Sequence, residues 1–442
     1  MKKVLVLGAG LVAGPLVKYL LDDPDFSVTV ADMILDQAER AVAGRPNGKA
    51  RQLSVEDSKG LQAAVEASNL VVSLLPAVMH PKVASACVAA GVDLVTASYA
   101  GPAMQEFDGP ARQKGIILLN EMGLDPGIDH MEAMRIIKRT HDLGGKIISF
   151  VSYCGGLPAP EANTNPFGYK FSWSPKGVLL AARNEARFLK DGREVFLPAD
   201  RLFAGPEIIN IQNLGAFEAY PNRDSLAYRE IYGIQEARTV LRGTLRYPGW
   251  SETMKAVQDL GLLSETIGDW RGTTAAGFLR KTAGLKENEN VGTAVSSRLG
   301  LDPRSRVTDR LEWLGLFDDR PLLLETGSPL DIMTALMKER LKYEKGERDM
   351  IVLQHEFLAE FPGGKREKIK STLVDFGRPK GDSAMSRTVG YPAAIGARLI
   401  LEGKIPLSGV RVPVHPEIFE PVLEELNDLG IRFVEHTGRI HG

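Results

Sequence analysis

The first third of the chain repeats one pattern, in which a short continuous apolar block precedes a segment with apolar residues at helical spacing. The first block, residues 4–7, ends at a glycine, and apolar positions then recur at helical spacing as far as Leu21. These blocks predict strands at residues 4–7, 26–31, 50–53, 70–75, 92–97 and 116–119, with helices between them. Uninterrupted apolar strands that alternate with helices are typical of a parallel sheet covered on both faces.

The pattern changes after residue 146. Residues 147–153 form a block that runs into glycines and prolines, and residues 270–340 read as mostly helical, with a stripe at 311–317 that we expect in a core. Two β-rich runs, 350–360 and 367–376, are separated by Pro362-Gly-Gly364, which predicts a hairpin. The αβ pattern returns in the tail, with helices predicted at 384–401 and 421–429 and a strand at 431–434.

We therefore predict an α/β fold with two domains. Residues 1–124 and 381–442 are expected to form a Rossmann-type dinucleotide-binding domain, to which the tail returns. Residues 125–380 are expected to form a second, α+β substrate-binding domain built on a largely antiparallel sheet, with surface enough for a homodimer.

The turn after the first predicted strand carries a glycine pattern suited to a dinucleotide. Gly8 allows the turn, Gly10 allows the backbone to approach a pyrophosphate, and Ala13 with Gly14 allows the following helix to pack closely. The N-terminus of that helix offers N–H groups and a positive dipole end to phosphates. The glycine pattern is weak by itself, and the strand before it supplies the confirming context.

Asp32 ends the second predicted strand, at the position of the ribose-binding acid of a dinucleotide fold. A carboxylate there accepts hydrogen bonds from ribose hydroxyls and repels a 2′-phosphate, so NAD is favoured over NADP. No arginine follows directly, since Met33 and Ile34 come next. Asp32 is also a good residue to cap the helix predicted from Leu35, and the two roles are compatible.

Composition narrows the class of protein. The 442 residues carry a net charge of −2 with 25% charged residues, a balance without the basic excess expected for binding nucleic acid or an anionic membrane. Two cysteines, Cys87 and Cys154, make a disulfide framework unexpected. A core strand at the N-terminus and the lack of a membrane-length apolar run predict a cytoplasmic location. Together with the charge balance, this favours a metabolic enzyme that acts on small molecules. No metal site is predicted.

The carboxyl edge of the predicted parallel sheet gathers several candidate residues. Leu75 and Pro76 follow the fourth strand, and Ser98 with Tyr99 follows the fifth, at the edge where ligands of such sheets bind. His80, near the first pair, is expected to be a surface or capping residue and is left out of the site.

A second informative stretch, residues 120–130, follows the last strand of this half. It carries Asp125, Asp129 and His130 around a turn-forming Pro126-Gly127, and it opens a helix. Capping of that helix is the favoured interpretation for Asp129. A crossover into the second domain is expected here.

Arginines and one cysteine mark the second domain. Arg223, Arg242 and Arg246 fall in turn and strand contexts; each is compatible with a solvated surface charge, but arginine also suits bidentate carboxylate binding and so favours an acidic substrate. Cys154 precedes two glycines that permit close approach of a ligand, although a small buried cysteine is the commoner explanation.

Together these motifs resemble the saccharopine dehydrogenase, or saccharopine reductase, family of the α-aminoadipate lysine pathway, and its L-glutamate-forming branch most closely. The resemblance spans nearly the whole chain. It rests on Gly8-Ala-Gly10-Leu-Val-Ala-Gly14, Ser73-Leu-Leu-Pro76, Thr96-Ala-Ser98-Tyr99, Asn120-Glu-Met-Gly-Leu-Asp125-Pro-Gly127-Ile-Asp-His130, Ser152-Tyr-Cys154-Gly-Gly-Leu-Pro-Ala-Pro-Glu161, Phe171-Ser-Trp-Ser174-Pro175, Tyr220-Pro-Asn-Arg223-Asp-Ser225 and Arg242-Gly-Thr244-Leu-Arg246-Tyr247.

The resemblance implies an oxidoreductase that interconverts saccharopine with L-glutamate and α-aminoadipate 6-semialdehyde. It implies a saccharopine site formed by Ser98, Tyr99, Arg223, Thr244 and Arg246. It also implies dinucleotide contacts from Gly10, Leu11, Val12, Asp125, Gly127 and Pro175. Asp125, Tyr99 and Cys154 are the candidates for the catalytic centre. The resemblance departs at Asp32-Met33, where NADP-using relatives carry a basic neighbourhood, and this again favours NAD with NADP as the alternative.

Two other functions fit the same architecture. One is a carboxyspermidine-type dehydrogenase, whose cationic polyamine substrate would call for extra acidic groups in the second domain. The other is a dinucleotide-binding regulator that keeps the fold without turnover, because a fold does not fix a function. Intact arginines beside the dinucleotide motif favour the saccharopine enzyme.

Overall fold

The computed structural model describes residues 1–440, and the chain divides into two compact units. The first unit contains residues 1–146, 361–365 and 373–435. The second contains residues 147–360 and 366–372, together with the described end of the chain from His436. The largest segment of the second unit, residues 147–360, is thus inserted within the sequence of the first.

The first unit begins with alternating strands and helices. In chain order these are β1 (Lys2–Leu7), α1 (Ala13–Asp22), β2 (Phe26–Asp32), α2 (Leu35–Val42), β3 (Gly48–Gln52), α3 (Ser58–Glu66), β4 (Leu70–Ser73), α4 (His80–Ala90), β5 (Asp93–Thr96), α5 (Pro102–Gln105), α6 (Asp108–Lys114), β6 (Ile117–Leu119) and α7 (Ile128–Asp142). The apolar blocks form strands because they are buried on both faces: the side chains of residues 4–7 are all at most 1% exposed.

The second unit mixes strands and short helices. In chain order these are β7 (Lys146–Pro158), α8 (Pro175–Ala181), β8 (Ala186–Lys190), β9 (Arg193–Leu197), β10 (Glu207–Ile211), β11 (Gly215–Pro221), α9 (Ala227–Ile231), β12 (Thr239–Arg246), α10 (Trp250–Asp259), β13 (Gly268–Asp269), α11 (Ala275–Ala283), α12 (Val291–Leu299), α13 (Arg306–Trp313), β14 (Thr326–Gly327), α14 (Pro329–Arg340), β15 (Asp349–Phe361) and β16 (Lys365–Phe376). A short turn at Pro362–Gly364 joins β15 to β16, as the hairpin prediction requires. The stripe at 311–317 is core, since Leu311, Leu314 and Leu316 are fully buried.

The last segment supplies α15 (Ala384–Leu401), β17 (Gly409–Arg411), α16 (Pro416–Asp428) and β18 (Val434–Ile440). Strand β17 pairs with β6 and completes a seven-stranded sheet of order β17-β6-β5-β4-β1-β2-β3, in which neighbouring strands are parallel. Helix α16 begins earlier than predicted, at Pro416, and Pro421 lies inside it. The sheet confirms the Rossmann-type prediction.

The second sheet is mixed, and it contains a parallel pairing that the prediction of a largely antiparallel sheet did not specify. Its nine strands include the path β10-β11-β12-β7-β15-β16-β18, with β8 paired to β12 and β9 to β8. The pairs β10–β11, β11–β12 and β8–β9 are antiparallel, whereas β12 and β7 run parallel in register Thr244 opposite Cys154. Parallel pairing here needs the long connection between β7 and β12, which local sequence patterns do not reveal.

Within the described residues, 1–440, no helix combines the length and apolar content needed to cross a membrane. No group of three or more His, Cys, Asp or Glu side chains among them is arranged to hold a metal ion.

Candidate active site

The glycine turn after β1 leaves the N-terminus of α1 open. Gly8 has φ +98°, and a Cβ there would lie 3.3 Å from the Leu74 carbonyl group, so the turn and its packing both require glycine. A Cβ at Gly10 would meet no atom within 4 Å. The N-cap residue of α1, Val12, makes no side-chain capping hydrogen bond, and the first turn of α1 carries no acidic residue. An open, uncapped helix N-terminus beside two glycines fits a pyrophosphate.

Asp32 lies beside this turn and is held by two backbone N–H groups. Ala9 donates to its Oδ2 (2.8 Å) and Ile34 donates to its Oδ1 (2.9 Å). The N-cap residue of α2 is Ile34 and makes no side-chain capping bond, so the prediction that Asp32 caps this helix is wrong. The carboxylate is instead fixed at the end of β2, next to the glycine turn.

Exposed apolar side chains follow the same edge of the sheet. Leu11 is 66% and Val78 86% exposed, and Met33 and Ile34 after Asp32 are exposed as well. Leu75 is half-buried and Pro76 exposed. Apolar groups left in solvent at the ligand-binding edge of a parallel sheet suit the flat face of an adenine or nicotinamide ring.

Tyr99 and Asp125 meet in the first unit. The Tyr99 hydroxyl donates to Asp125 Oδ1 at 3.1 Å. Asp125 sits in a tight loop in which Gly127 has φ +150°, and a Cβ at Gly127 would lie only 2.0 Å from the Gly123 carbonyl oxygen. The peptide bond between Asp125 and Pro126 is cis. Asp129 lies in the first turn of α7 and accepts a hydrogen bond from the Gly127 N–H (2.6 Å).

A buried pair, Glu121 and His130, supports this loop and was missed by the sequence analysis. Glu121 Oε2 lies 2.7 Å from His130 Nε2, and its Oε1 accepts a hydrogen bond from the Ala100 N–H (3.0 Å). Glu121 has the unusual φ of +61°. The pair links the segment after β5, which carries Tyr99, to the loop that carries Asp125. The only sequence signal was the concentration of charged residues in the stretch 120–130.

The sequence predicted His80 to be a surface or capping residue, and the structure shows that this prediction is wrong. Its side chain is 2% exposed and its ring contacts the hydroxyls of Ser73, Thr96 and Ser98. Burial lowers the pKa of His80 to about 4, so the ring is neutral at pH 7. The sequence around His80 gave no signal of these polar partners, because they come from other elements of the fold.

In the second unit, Arg242, Thr244 and Arg246 point to one face of the mixed sheet, because strand residues two apart share a face. On β11, Tyr220 lies opposite Thr244 and Glu218 lies opposite Arg246. The period-two spacing of the three β12 residues was present in the sequence. Arg242 was a candidate for carboxylate binding from its residue type, but the family resemblance did not include it in the saccharopine site.

Arg246 is a buried cation without an anionic partner among the described residues. Its side chain is 7% exposed, Nη1 donates to the Leu245 carbonyl oxygen (2.8 Å), and Nε has no hydrogen-bond partner in residues 1–440. The guanidinium carbon lies 4.9 Å from the ring centre of Tyr169 and 5.4 Å from that of Trp250. Such stacking orients the group without neutralising its charge.

Glu218 does not neutralise Arg246, because it caps a helix. Its Oε1 accepts a hydrogen bond from the Gly249 N–H (2.6 Å) and its Oε2 one from the Ser251 N–H (2.8 Å) at the start of α10. A carboxylate bound to backbone N–H groups at a helix N-terminus has already found stabilising partners. The positive charge of Arg246 is therefore available to an anionic ligand.

The remaining predicted residues lie in the same unit. Arg242 is buried with its guanidinium 4.3 Å from the Tyr228 ring centre, while Arg223 is exposed and has φ +55°. Pro175 begins α8, which Ser174 caps. Cys154 is buried in β7; a Cβ at the adjacent Gly155 would lie 2.7 Å from the Leu245 carbonyl oxygen, so that glycine serves the packing of β7 on β12.

Comparison with known proteins gives consistent results over the chain. A family model described as the saccharopine dehydrogenase NADP binding domain matches residues 4–119, and one described as the saccharopine dehydrogenase C-terminal domain matches residues 123–431. A relative from Saccharomyces cerevisiae, "Saccharopine dehydrogenase [NADP(+), L-glutamate-forming]", is 42% identical over 99% of this chain and 99% of its own. The bovine "Alpha-aminoadipic semialdehyde synthase, mitochondrial" is 39% identical over 99% of this chain, which spans 48% of that longer protein.

A solved structure agrees with these sequence matches. The apo saccharopine dehydrogenase (L-Glu forming) from Saccharomyces cerevisiae superposes with a TM-score of 0.88 at 40% identity, covering 99% of this chain and 100% of that one.

Proposed function

The chain belongs to the saccharopine dehydrogenase family, and from that premise we propose that it interconverts saccharopine with L-glutamate and α-aminoadipate 6-semialdehyde. The resemblance found in the sequence is confirmed. The enzyme is an oxidoreductase of lysine metabolism that exchanges a hydride with a nicotinamide dinucleotide.

The observation that carries this proposal is the unpaired charge of Arg246. Saccharopine has three carboxylates and a secondary amine, and a buried arginine with a free Nε is suited to bind one carboxylate. Thr244 on the same face would add a hydroxyl donor. A cationic polyamine would instead need acidic groups, and the one carboxylate opposite Arg246, Glu218, is bound to α10, so the carboxyspermidine alternative is not favoured.

The glycine turn fits a dinucleotide, on the evidence of the open N-terminus of α1 and the space beside Gly10. When bound, this cofactor would accept the hydride as the amine is oxidised to an imine, or supply it in the reverse reaction. In our proposal Gly8, Gly10, Leu11, Val12 and Ala13 would hold its pyrophosphate. Leu75, Pro76, Asp125, Gly127 and Pro175 are further proposed contacts of the dinucleotide, carried over from the sequence analysis.

Asp125 and Tyr99 are our candidates to handle protons. Asp125 would take the proton of the substrate amine, and Tyr99, which donates to Asp125 Oδ1, would orient that carboxylate. Water must then open the imine, and the same pair is available to activate it. Ser98 and Arg223 are proposed substrate contacts, and Cys154 is kept as a third candidate for the catalytic centre.

Coenzyme preference is the point on which sequence and relatives disagree. The names of three fungal relatives and of the matching family model indicate NADP, against our expectation of NAD. We nevertheless propose NAD for this chain, because Asp32 is a carboxylate at the end of β2 beside the glycine turn, and a carboxylate in that position of a dinucleotide fold is expected to repel a 2′-phosphate. On β3, Gln52 lies opposite Asp32, and the residue before it, Arg51, is exposed. If the enzyme used NADP instead, Arg51 is a basic side chain that could bind the 2′-phosphate.

Asp32→Asn tests this proposal. The amide keeps an oxygen for the Ala9 N–H but loses the charge, so we expect the ratio of kcat/KM for NAD⁺ over NADP⁺ to fall about tenfold or more, since hydrogen bonds to a charged group contribute roughly 1.5–3 kcal/mol. Asp36→Asn, an exposed acid in the first turn of α2, is the control and should leave the ratio unchanged. A wild-type enzyme that already prefers NADP⁺ would refute the NAD proposal and leave the activity standing.

The activity itself is tested by initial rates of reduction of NAD⁺ and NADP⁺ with saccharopine, followed by absorbance of the reduced cofactor. We expect stoichiometric formation of glutamate and semialdehyde. Binding of the cofactor without turnover of saccharopine would favour the non-catalytic regulator. The homodimer and the cytoplasmic location remain predictions.

A further inference from the structure

His80 gathers three hydroxyl groups from the ends of two neighbouring strands. Ser73 ends β4 and lies 3.0 Å from His80 Nδ1. Thr96 ends β5, and its hydroxyl lies 3.0 Å from Nε2; Ser98, just beyond it, lies 2.8 Å from the same nitrogen. A buried imidazole is thus the shared partner of three side chains at the ligand-binding edge of the sheet.

The partners of Thr96 indicate which ring nitrogen carries the proton. The Thr96 hydroxyl already accepts a hydrogen bond from the Ser98 N–H (3.3 Å), and its side chain is 1% exposed, so its own proton needs a protein acceptor. Nε2 of His80 is that acceptor. The neutral ring then carries its proton on Nδ1 and donates it to Ser73, and the single lone pair of Nε2 accepts from both Thr96 and Ser98 in a three-centre hydrogen bond.

This arrangement fixes the direction of the Ser98 hydroxyl. With its proton directed to His80, the half-buried Ser98 oxygen turns both of its lone pairs away from the ring. A group with that orientation accepts a hydrogen bond. It therefore suits an ammonium or amine of a ligand better than a carboxylate.

We propose that His80 is a positioning residue that holds the Ser98 hydroxyl as a hydrogen-bond acceptor for an amino group of the substrate. This inference rests on the proposed function, because it takes Ser98 as a substrate contact. His80 itself touches no ligand in this scheme. Its contribution is to remove the rotational freedom of Ser98 before binding, which lowers the entropic cost of the contact.

A double-mutant cycle of His80→Leu and Ser98→Ala separates positioning from a merely structural role. Each single variant is expected to raise the KM for saccharopine about tenfold, the effect of one hydrogen bond, with less change in kcat and none in the KM for the cofactor. The double variant should be no worse than Ser98→Ala alone, because His80 acts through Ser98. His80→Gln replaces His80→Leu if the leucine variant does not fold. His141→Leu, on the exposed end of α7, is the control.

Each outcome of the cycle decides the proposal. Additive losses, or an unchanged KM in the folded His80 variant while Ser98→Ala impairs binding, would overturn it. An unchanged KM in Ser98→Ala would overturn it too, by removing the contact that His80 is meant to hold. Turnover of saccharopine by the wild-type enzyme tests the proposed function separately. Nitrogen-15 NMR of labelled histidine provides a second readout, in which a protonated Nε2 would contradict the proposed orientation.

Discussion

Arg246→Met is expected to lower kcat/KM for saccharopine by about a hundredfold or more while the affinity for the dinucleotide stays the same. Loss of one partner of a buried charge pair costs roughly 2–5 kcal/mol, and each 1.4 kcal/mol is about tenfold. The protein should still fold, because methionine can pack against the contacting rings of Tyr169 and Trp250 without a charge that needs a partner. Steady-state kinetics with saccharopine and a thermal melt measure the two effects.

Two further variants sharpen this experiment. Arg246→Lys keeps a positive charge without the planar fork and should recover only part of the loss. Arg193→Met, in the exposed strand β9 of the same unit, is the matched control and should behave as wild type. If Arg246→Met binds saccharopine normally, the carboxylate site lies elsewhere and the observation that carries the proposed function is lost.

Asp125→Asn is expected to lower kcat by about a hundredfold or more, the usual contribution of a general acid or base. The amide oxygen can still accept the hydrogen bond from Tyr99, so the loop should keep its geometry. NADH binding, measured by quenching of its fluorescence, should be nearly unchanged. The limb of the pH–rate profile that reports the base should disappear in the variant.

Tyr99→Phe is the comparison for Asp125→Asn. It removes the hydroxyl that orients the carboxylate but keeps the carboxylate itself, so a smaller loss of kcat is expected. Parallel loss of turnover and of NADH binding in Asp125→Asn would instead assign Asp125 to holding the cofactor. Full activity of Asp125→Asn would refute both roles of Asp125, as a base and as a contact of the cofactor.

The sequence predicted the first unit better than the second for a physical reason. Strands buried on both faces must be continuously apolar, so residues 4–7 and 70–73 were recognisable without any partner strand. The parallel pairing of β7 with β12 joins residues far apart in the chain and leaves no local pattern. Pairing of distant strands is a tertiary property, which is why the sequence did not predict this parallel pairing.

The candidate site divides in the same way. Gly8, Gly10 and Asp32 were found because turn geometry and strand order give them a local signature. The burial of His80 and the unpaired charge of Arg246 depend on partners from other elements. For Arg246 the deciding contact belongs to Glu218, whose carboxylate is committed to α10. Sequence spacing could place Arg246 on one face of its strand, but it could not show that Glu218, the acid opposite it, is already hydrogen-bonded to the start of α10.

The pairing of β17 with β6 has a consequence for how the chain is made. In the sequence, residues 147–360 of the second unit lie between the two strands, so a ribosome releases β6 before this segment and β17 only after it. The nascent first unit therefore carries an open sheet edge while the second unit is synthesised, and open edges recruit other strands. Chaperone protection during translation is expected to matter more for this enzyme than for one whose nucleotide-binding sheet is encoded without interruption.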